Sequence, residues 1–375
     1  MTIRTVAVIG VGLIGGSFAA ACKRRGDPVR VFGVDTDAGS LSFALEHGIV
    51  DLALSPEEAF AAGWFAADAD VDLVVLATPA SFAEEWLERL STAGYLGLVT
   101  DVASTKAGVL AAATTFLRSG ATFVGGHPMA GSELSGVYAA RADLFDGAYY
   151  ILTPTEQTNP ESFRRLHTFV SSLGARVVSV EAAEHDRAVA IISHVPHVTA
   201  SALVDLAKAH AGKGDELLRL AAGGFKDTTR IAAGSPDLWT GICLDNADAL
   251  SSGLEELREV LGEFAQRVRA RDAVAIREWL ARAADVRRAL PSQWVPATEA
   301  LCELLIPIID RPGVISEVTS AVGRAGCNIE SIEIDHQSES SAVLVLVMTD
   351  EGDREQLVDE LRSLGYDPSL RALEG

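Results

Sequence analysis

Three short stretches of this chain carry residues suited to chemistry. Gly125–Gly136 reads GGHPMAGSELSG, with His127, Ser132 and Glu133 set among four glycines. A histidine titrates near neutrality and can accept a proton there. So many glycines point to a tight loop that lets backbone approach a ligand, not to buried core. Taken alone, His127 serves as a proton acceptor or as a loop-stabilising residue. Arg230 closes GGFKDTTR (Gly223–Arg230), and Trp239 follows nine residues later. A planar guanidinium fits a carboxylate, although a surface ion pair is the ordinary use of a lone arginine. Ser104 and Thr105 stand in DVASTK, just after a strand pattern. At the carboxyl end of an open sheet they face ligand; otherwise Ser104 caps the next helix.

The elements that must position these residues begin with Thr5–Ile9, a buried-strand pattern. It runs into Gly10-Val11-Gly12-Leu13-Ile14-Gly15 and an Ala-rich helix. This G-x-G-x-x-G in strand–turn–helix context is a dinucleotide-binding signature. Gly10 makes the turn, Gly12 admits a pyrophosphate, and Gly15 packs helix on strand. The helix N-terminus, at Leu13 and Ile14, offers N–H donors to phosphate. A second strand, Arg30–Val34, ends at Asp35, where a carboxylate binds the adenosine ribose and repels a 2′-phosphate. That favours NAD over NADP, unless Asp35 is an ordinary strand-end turn residue. Asp72–Ala77 ends in Thr78-Pro79, beside the expected nicotinamide path. Further strands are expected at Leu96–Asp101, Thr122–Val124, Ala148–Leu152 and Arg176–Val180, with a helix over Pro160–Leu173. Residues 1–180 thus read as a Rossmann-type α/β domain.

Helical periodicity takes over from Ala182 to about Ala289, giving an all-helical domain over 181–293. Ala182–Ala211 carries His185, His194, His197 and His210, with a kink expected at Pro196. His194 and His197 are spaced for a metal pair or for helix packing. No H-E-x-x-H pattern or carboxylate pair accompanies them, so no metal is expected. Gly241–Ala270 repeats leucines at three and four, an amphipathic pattern that calls for a partner surface, most simply a second copy.

A net charge of −21 and pI near 4.7 argue against nucleic acid as a partner. Residues 298–375 hold 16 Asp/Glu against five Arg and no Lys, so a separate acidic module closes the chain. Four scattered cysteines suggest neither a disulfide framework nor a zinc site, which fits a reducing cytoplasm. No apolar run approaches the roughly 20 residues of a membrane span, and the N-terminus enters a strand directly.

Five motifs in order resemble the prephenate dehydrogenase family of tyrosine biosynthesis over essentially the whole chain. They are VIGVGLIGGSF (Val8–Phe18), DVASTK (Asp101–Lys106), GGHPMAGSELSG, SHVPH (Ser193–His197) and FKDTTR with Trp239. The resemblance implies an NAD-dependent oxidative decarboxylation of prephenate. It makes His127 the catalytic histidine on the ring 4-hydroxyl, supported by Ser104. It makes Arg230 the carboxylate ligand, with His197, Ser132, Glu133 and Trp239 lining the pocket. Relatives that use arogenate share most of these residues, so the substrate stays open between the two. A non-catalytic NAD and amino-acid sensor is the different-class alternative, and intact His127, Ser104 and Arg230 argue against it. Over residues 300–372 the βαββαβ order, with D-R-P-G-V and G-x-N-I, resembles an ACT domain, a small α+β module. Such modules bind amino acids, which places Gly313, Val314, Asn328 and Ile329 at an effector site and favours L-tyrosine. A module that serves only dimerisation is the alternative.

Overall fold

The computed structural model describes residues 3–372, apart from 118–119, 132–133, 156, 212–219, 290–300, 310, 312–313, 326, 328, 337–340 and 349–351. Ser132, Glu133, Gly313 and Asn328 therefore lie outside the described residues, as does the side chain of Ile329. The chain divides into two compact units, 1–261 and 262–375. The helical segment expected over 181–293 is shared between them.

The first unit is built on an eight-stranded sheet. Its strands are β1 (Thr5–Ile9), β2 (Arg30–Val34), β3 (Leu52–Leu54), β4 (Leu73–Leu76), β5 (Leu98–Asp101), β6 (Thr122–Pro128), β7 (Tyr149–Thr153) and β8 (Arg176–Ser179), in spatial order β3-β2-β1-β4-β5-β6-β7-β8. The first six are parallel, and the direction reverses between β6 and β7. Both faces are covered, as a parallel sheet requires. Val6 and Val8 of β1 point into a core with Phe18, Phe145 and Phe169. Ala7 and Ile9 point the other way, to Trp86, Leu87 and Leu90. Helices α1 (Leu13–Arg24), α2 (Ala38–Glu46), α3 (Pro56–Ala61), α4 (Ala83–Ala93), α5 (Ala107–Phe116) and α6 (Pro160–Ser171) supply these layers. The Rossmann-type expectation holds, with one correction. GGHP is not loop but the end of β6, paired antiparallel to β7 with His127 opposite Ile151.

Beyond the sheet the long apolar run is one continuous helical stretch in three parts. These are α7 (Ala182–Val189), a π-helical turn (Ala190–His194) and α8 (Val195–His210). Pro196 has no N–H to give, and the wider turn immediately before it absorbs the missing bond. The stretch of 29 residues is long and apolar enough to cross a membrane by length and composition alone, although its charged residues and histidines keep every uninterrupted apolar run well short of that length. Its buried polar residues, however, His185, Asp186, His194 and His197, face protein partners. Then come α9 (Gly223–Thr229), a 3₁₀ turn (Arg230–Ala233), α10 (Pro236–Asp245) and α11 (Ala247–Arg269). The amphipathic pattern expected as one helix from Gly241 breaks at Asn246, which is buried. Leu244 and Leu261 on these helices are 72% and 54% exposed, an apolar surface left uncovered within the chain.

The second unit holds the end of α11 and α12 (Ala273–Ala289), joined through Phe264 and Trp279, whose rings are 4.7 Å apart. It continues into β9 (Cys302–Ile309), α13 (Val314–Arg324), β10 (Ile329–His336), β11 (Ser341–Met348), α14 (Arg354–Ser363) and β12 (Ser369–Ala372). The four strands form an antiparallel sheet in the order β10-β11-β9-β12. Alternate residues of β9 and β11 bury Leu304, Ile306, Leu344 and Leu346 against Val318 and Leu357 of the two helices. The βαββαβ order expected for this region is the one observed, and Val314 is a buried residue at the start of α13.

Candidate active site

The carboxyl end of β5 is fixed by a buried charge pair. Asp101 and Lys106 are at most 2% exposed and form a salt bridge. The Lys106 ammonium also donates to the Gly126 carbonyl at 2.7 Å. Asp101 accepts from the Gly126 N–H at 2.9 Å and from the Ala103 N–H at 3.0 Å. Burial pulls the Lys106 pKa down, and Asp101 opposes that pull. This cluster locks β6 onto β5 one residue before His127. A Cβ on Gly126 would lie 2.6 Å from the Asp101 carbonyl oxygen and 2.9 Å from the Tyr150 ring, so only glycine fits. The glycines before His127 serve packing, not the ligand approach expected for them.

His127 is half-buried and heads a chain of side chains. Its Nδ1 lies 2.8 Å from Nε2 of His185, and Nδ1 of His185 lies 2.8 Å from Oδ1 of Asp186. Asp186 in turn accepts the N–H groups of Lys106 and Ala107, each at 2.8 Å, and so caps α5 from a distance. Burial raises the Asp186 pKa, but the bonds from His185 and these amides outweigh it and hold the carboxyl below its usual range. The chain fixes tautomers. An ionised Asp186 takes the Nδ1 proton of His185, whose Nε2 must then accept, so His127 donates from Nδ1 and keeps a lone pair on Nε2. Burial, followed by the positive charge of Lys106 and the neighbouring His185 and His194, holds the His127 pKa well below the ordinary histidine value. At neutral pH it is therefore an uncharged base.

The helical segment supplies a wall. His197 stacks on Trp239 with ring centroids 3.4 Å apart, and His194 meets the same indole edge-on at 6.0 Å. Asn246 donates to the Asp186 carbonyl at 2.8 Å and lies 3.3 Å from Nδ1 of His194. At about 100° per residue, a regular helix would set His194 roughly half a turn away from His185; the π turn shifts that register. Arg230 is exposed and opens the 3₁₀ turn that packs against α8. Helix α10, carrying Trp239, packs against the short turn Ala80–Phe82 that follows Pro79. Ser104 is half-buried in the same β5–α5 segment as Lys106, and it neither bonds to His127 nor caps α5. Asp186 takes the cap, and His185 takes the support of His127.

The glycine loop fits a dinucleotide. Gly10 has φ +95°, and a Cβ there would lie 2.7 Å from the Ala77 carbonyl. Nothing lies within 4 Å of a Cβ built on Gly12, so the loop is open where a phosphate would approach. Helix α1 has no side-chain cap and no acidic residue in its first turn, which leaves the N–H groups around Leu13 and Ile14 for an anion. Asp35 stands at the end of β2 and braces the loop by accepting the Val11 N–H at 2.7 Å. Thr78 and Pro79 follow β4 alongside Gly10.

Known proteins resemble this chain in sequence and fold. Residues 18–179 match the family model "Prephenate dehydrogenase, nucleotide-binding domain", 181–282 match "Prephenate dehydrogenase, dimerization domain", and 308–366 match the ACT domain. A prephenate dehydrogenase of Bacillus subtilis (strain 168) is 34% identical over 94% of both chains. The chain belongs to the prephenate dehydrogenase family. Among solved structures, the prephenate dehydrogenase of A. aeolicus, in complex with hydroxyphenyl propionate and NAD+, is 29% identical. It matches with a TM-score of 0.72 over 78% of this chain and 99% of its own. A Synechocystis arogenate dehydrogenase is 31% identical, with a TM-score of 0.65 over 76% of this chain and 99% of its own. As a family member the chain is an NAD-dependent dehydrogenase.

Sequence reasoning had no role for His185, Asp186, Lys106 or Asn246. Three of them left a signal: His185 and Asp186 lie in the polar run Glu184–Arg187 that opens an otherwise apolar stretch, and Lys106 ends the motif DVASTK.

Proposed function

We propose that the chain oxidises prephenate to 4-hydroxyphenylpyruvate, with loss of the ring carboxylate as CO2. His127 accepts the 4-hydroxyl proton on Nε2. The observation that carries this is the hydrogen bond from Nδ1 of His127 to Nε2 of His185, which leaves Nε2 of His127 as the basic nitrogen. When bound, NAD supplies the hydride acceptor; aromatisation of the ring supplies the driving force. Leu13, Ile14 and the open backbone at Gly12 would receive its phosphates, Asp35 its adenosine ribose, and Thr78 and Pro79 would flank its nicotinamide half. Arg230 binds a substrate carboxylate. The stacked His197 and Trp239 form one pocket wall, which Ser132 and Glu133 complete, and Ser104 touches the hydroxyl. Because a ring carboxylate leaves during the reaction, an arginine that grips it stabilises the ground state as much as the transition state and acts mainly on binding.

The similarity to an arogenate dehydrogenase supports arogenate as the second reading. The two substrates differ in a ketone or an ammonium on the side chain. Incubation of the chain with NAD+ and either acid, followed by NADH absorbance, decides between them, and no NADH from either sinks both.

The exposed leucines of α10 and α11 support a homodimer formed through the helical segment. L-tyrosine is proposed as effector at the ACT module, held by the backbone at Gly313 and Val314 and by Asn328 and Ile329. A dehydrogenase rate indifferent to L-tyrosine discards that role.

A further inference from the structure

Asp186 is more than a helix cap. Both of its oxygens accept backbone N–H groups at the positive end of α5, and one also meets His185. It is thus an anion fixed in place, touching a histidine that is 1% exposed. His185 reaches His127 through its other nitrogen. The groups facing this pair are few. Lys106 and Asp101 come from the β5–α5 segment, His194 from the π turn and Asp186 from α7. Asp245 of α10 faces Asp186, and neutral Asn246 closes the back. A positive charge on His127 would stand near the Lys106 ammonium, whereas the same charge on His185 stands against a carboxylate.

We propose that His185 is a positioning and proton-holding residue: as Nε2 of His127 takes the substrate's hydroxyl proton, the Nδ1 proton of His127 passes to Nε2 of His185, and the positive charge comes to rest beside Asp186. This rests on the role proposed for His127 and extends it. The balance is closed within the side chains. One O–H bond breaks and one N–H forms on His127; one N–H breaks there and one forms on His185. Neither histidine is oxidised or reduced. After product leaves, the shift reverses and His127 loses its Nε2 proton to water. Charge therefore never accumulates next to Lys106, and the base returns to the tautomer that can act again. A bare hydrogen-bond acceptor at position 185 would orient His127 but could not take the proton.

His185→Gln in the full-length chain separates orientation from proton holding, because the amide carbonyl still accepts the His127 Nδ1 proton. The expected result is a kcat lower by roughly 10²-fold, with KM for the oxidised acid little changed and the acid limb of the kcat profile displaced. A folded variant within about twofold of wild type, with the same acid limb, overturns the proposal. Nitrogen NMR of the wild-type histidine rings provides a readout that needs no variant. When the pair takes up a proton, both Nε2 atoms should carry hydrogen and Nδ1 of His127 should be bare. Hydrogen on both nitrogens of His127, with Nε2 of His185 still bare, contradicts the relay. If the wild-type chain oxidises neither acid, the proposed function falls, while the nitrogen titration still reads the relay on its own.

Discussion

Two glycine-rich segments end two strands of the same sheet and work by opposite physics. Around Gly12 the missing side chain leaves open space, and the uncapped start of α1 faces it. At Gly126 the missing side chain is filled by protein, with Asp101, Thr100 and Tyr150 pressed against the backbone. The first segment is shaped for something that comes and goes. The second is shaped so that a buried ion pair can hold the next residue, His127, in one place. Glycine content therefore signals close approach but does not say whether ligand or protein does the approaching.

That contrast is open to attack by substitution, with the largest effect expected at the ion pair. Lys106→Met strands a buried Asp101 and should cost about 3–5 kcal/mol of stability, read as a lower denaturant midpoint. A midpoint near wild type would mean that the pair does not hold β6. Gly126→Ala forces a Cβ into the Asp101 carbonyl and should cost about 1–3 kcal/mol, with NAD affinity unchanged in whatever remains folded. Gly12→Ala should do the reverse. Stability stays within about 0.5 kcal/mol of wild type, while NAD binding weakens about tenfold by calorimetry; equal loss of stability in both glycine variants would erase the distinction. The smallest effect is that of pH on stability. His127 binds its proton less readily when folded than when unfolded, so below the ordinary histidine value of about 6.5 acid draws protons onto the unfolded chain. Melting temperature should fall as pH drops through and below that value, and less steeply in His127→Asn.

Much of this architecture was legible in the residues. The alternation of Val6 and Val8 with Ala7 and Ile9, the glycine signature and Asp35 prescribe a two-faced parallel sheet with a nucleotide loop, and the sheet order bears this out. The tail was equally plain, because its strand and helix patterns follow one another in the βαββαβ order with D-R-P-G-V and G-x-N-I between them. The site was less so. His127 was found, but as a loop residue, since GGHP lacks the β-branched side chains that mark a strand. What makes it a strand is long-range: Thr153 occupies the space a side chain at 125 would need, and the Asp101 carbonyl, Tyr150 and Thr100 occupy that at 126. His185 and Asp186 were hidden for a related reason. They lie 58 and 59 residues beyond His127, in the polar run Glu184–Arg187, which reads as an ordinary solvated helix face. Their partners, the Lys106 and Ala107 amides, are backbone groups that no sequence pattern displays.

The central claim is that a single neutral nitrogen, Nε2 of His127, receives the substrate's proton. Steady-state NADH formation from NAD+ and prephenate, compared between wild type and His127→Ala, tests it most directly. The account predicts a kcat lower by about 10²–10⁴-fold with KM nearly intact. Turnover retained by the alanine variant at close to the wild-type rate would contradict it.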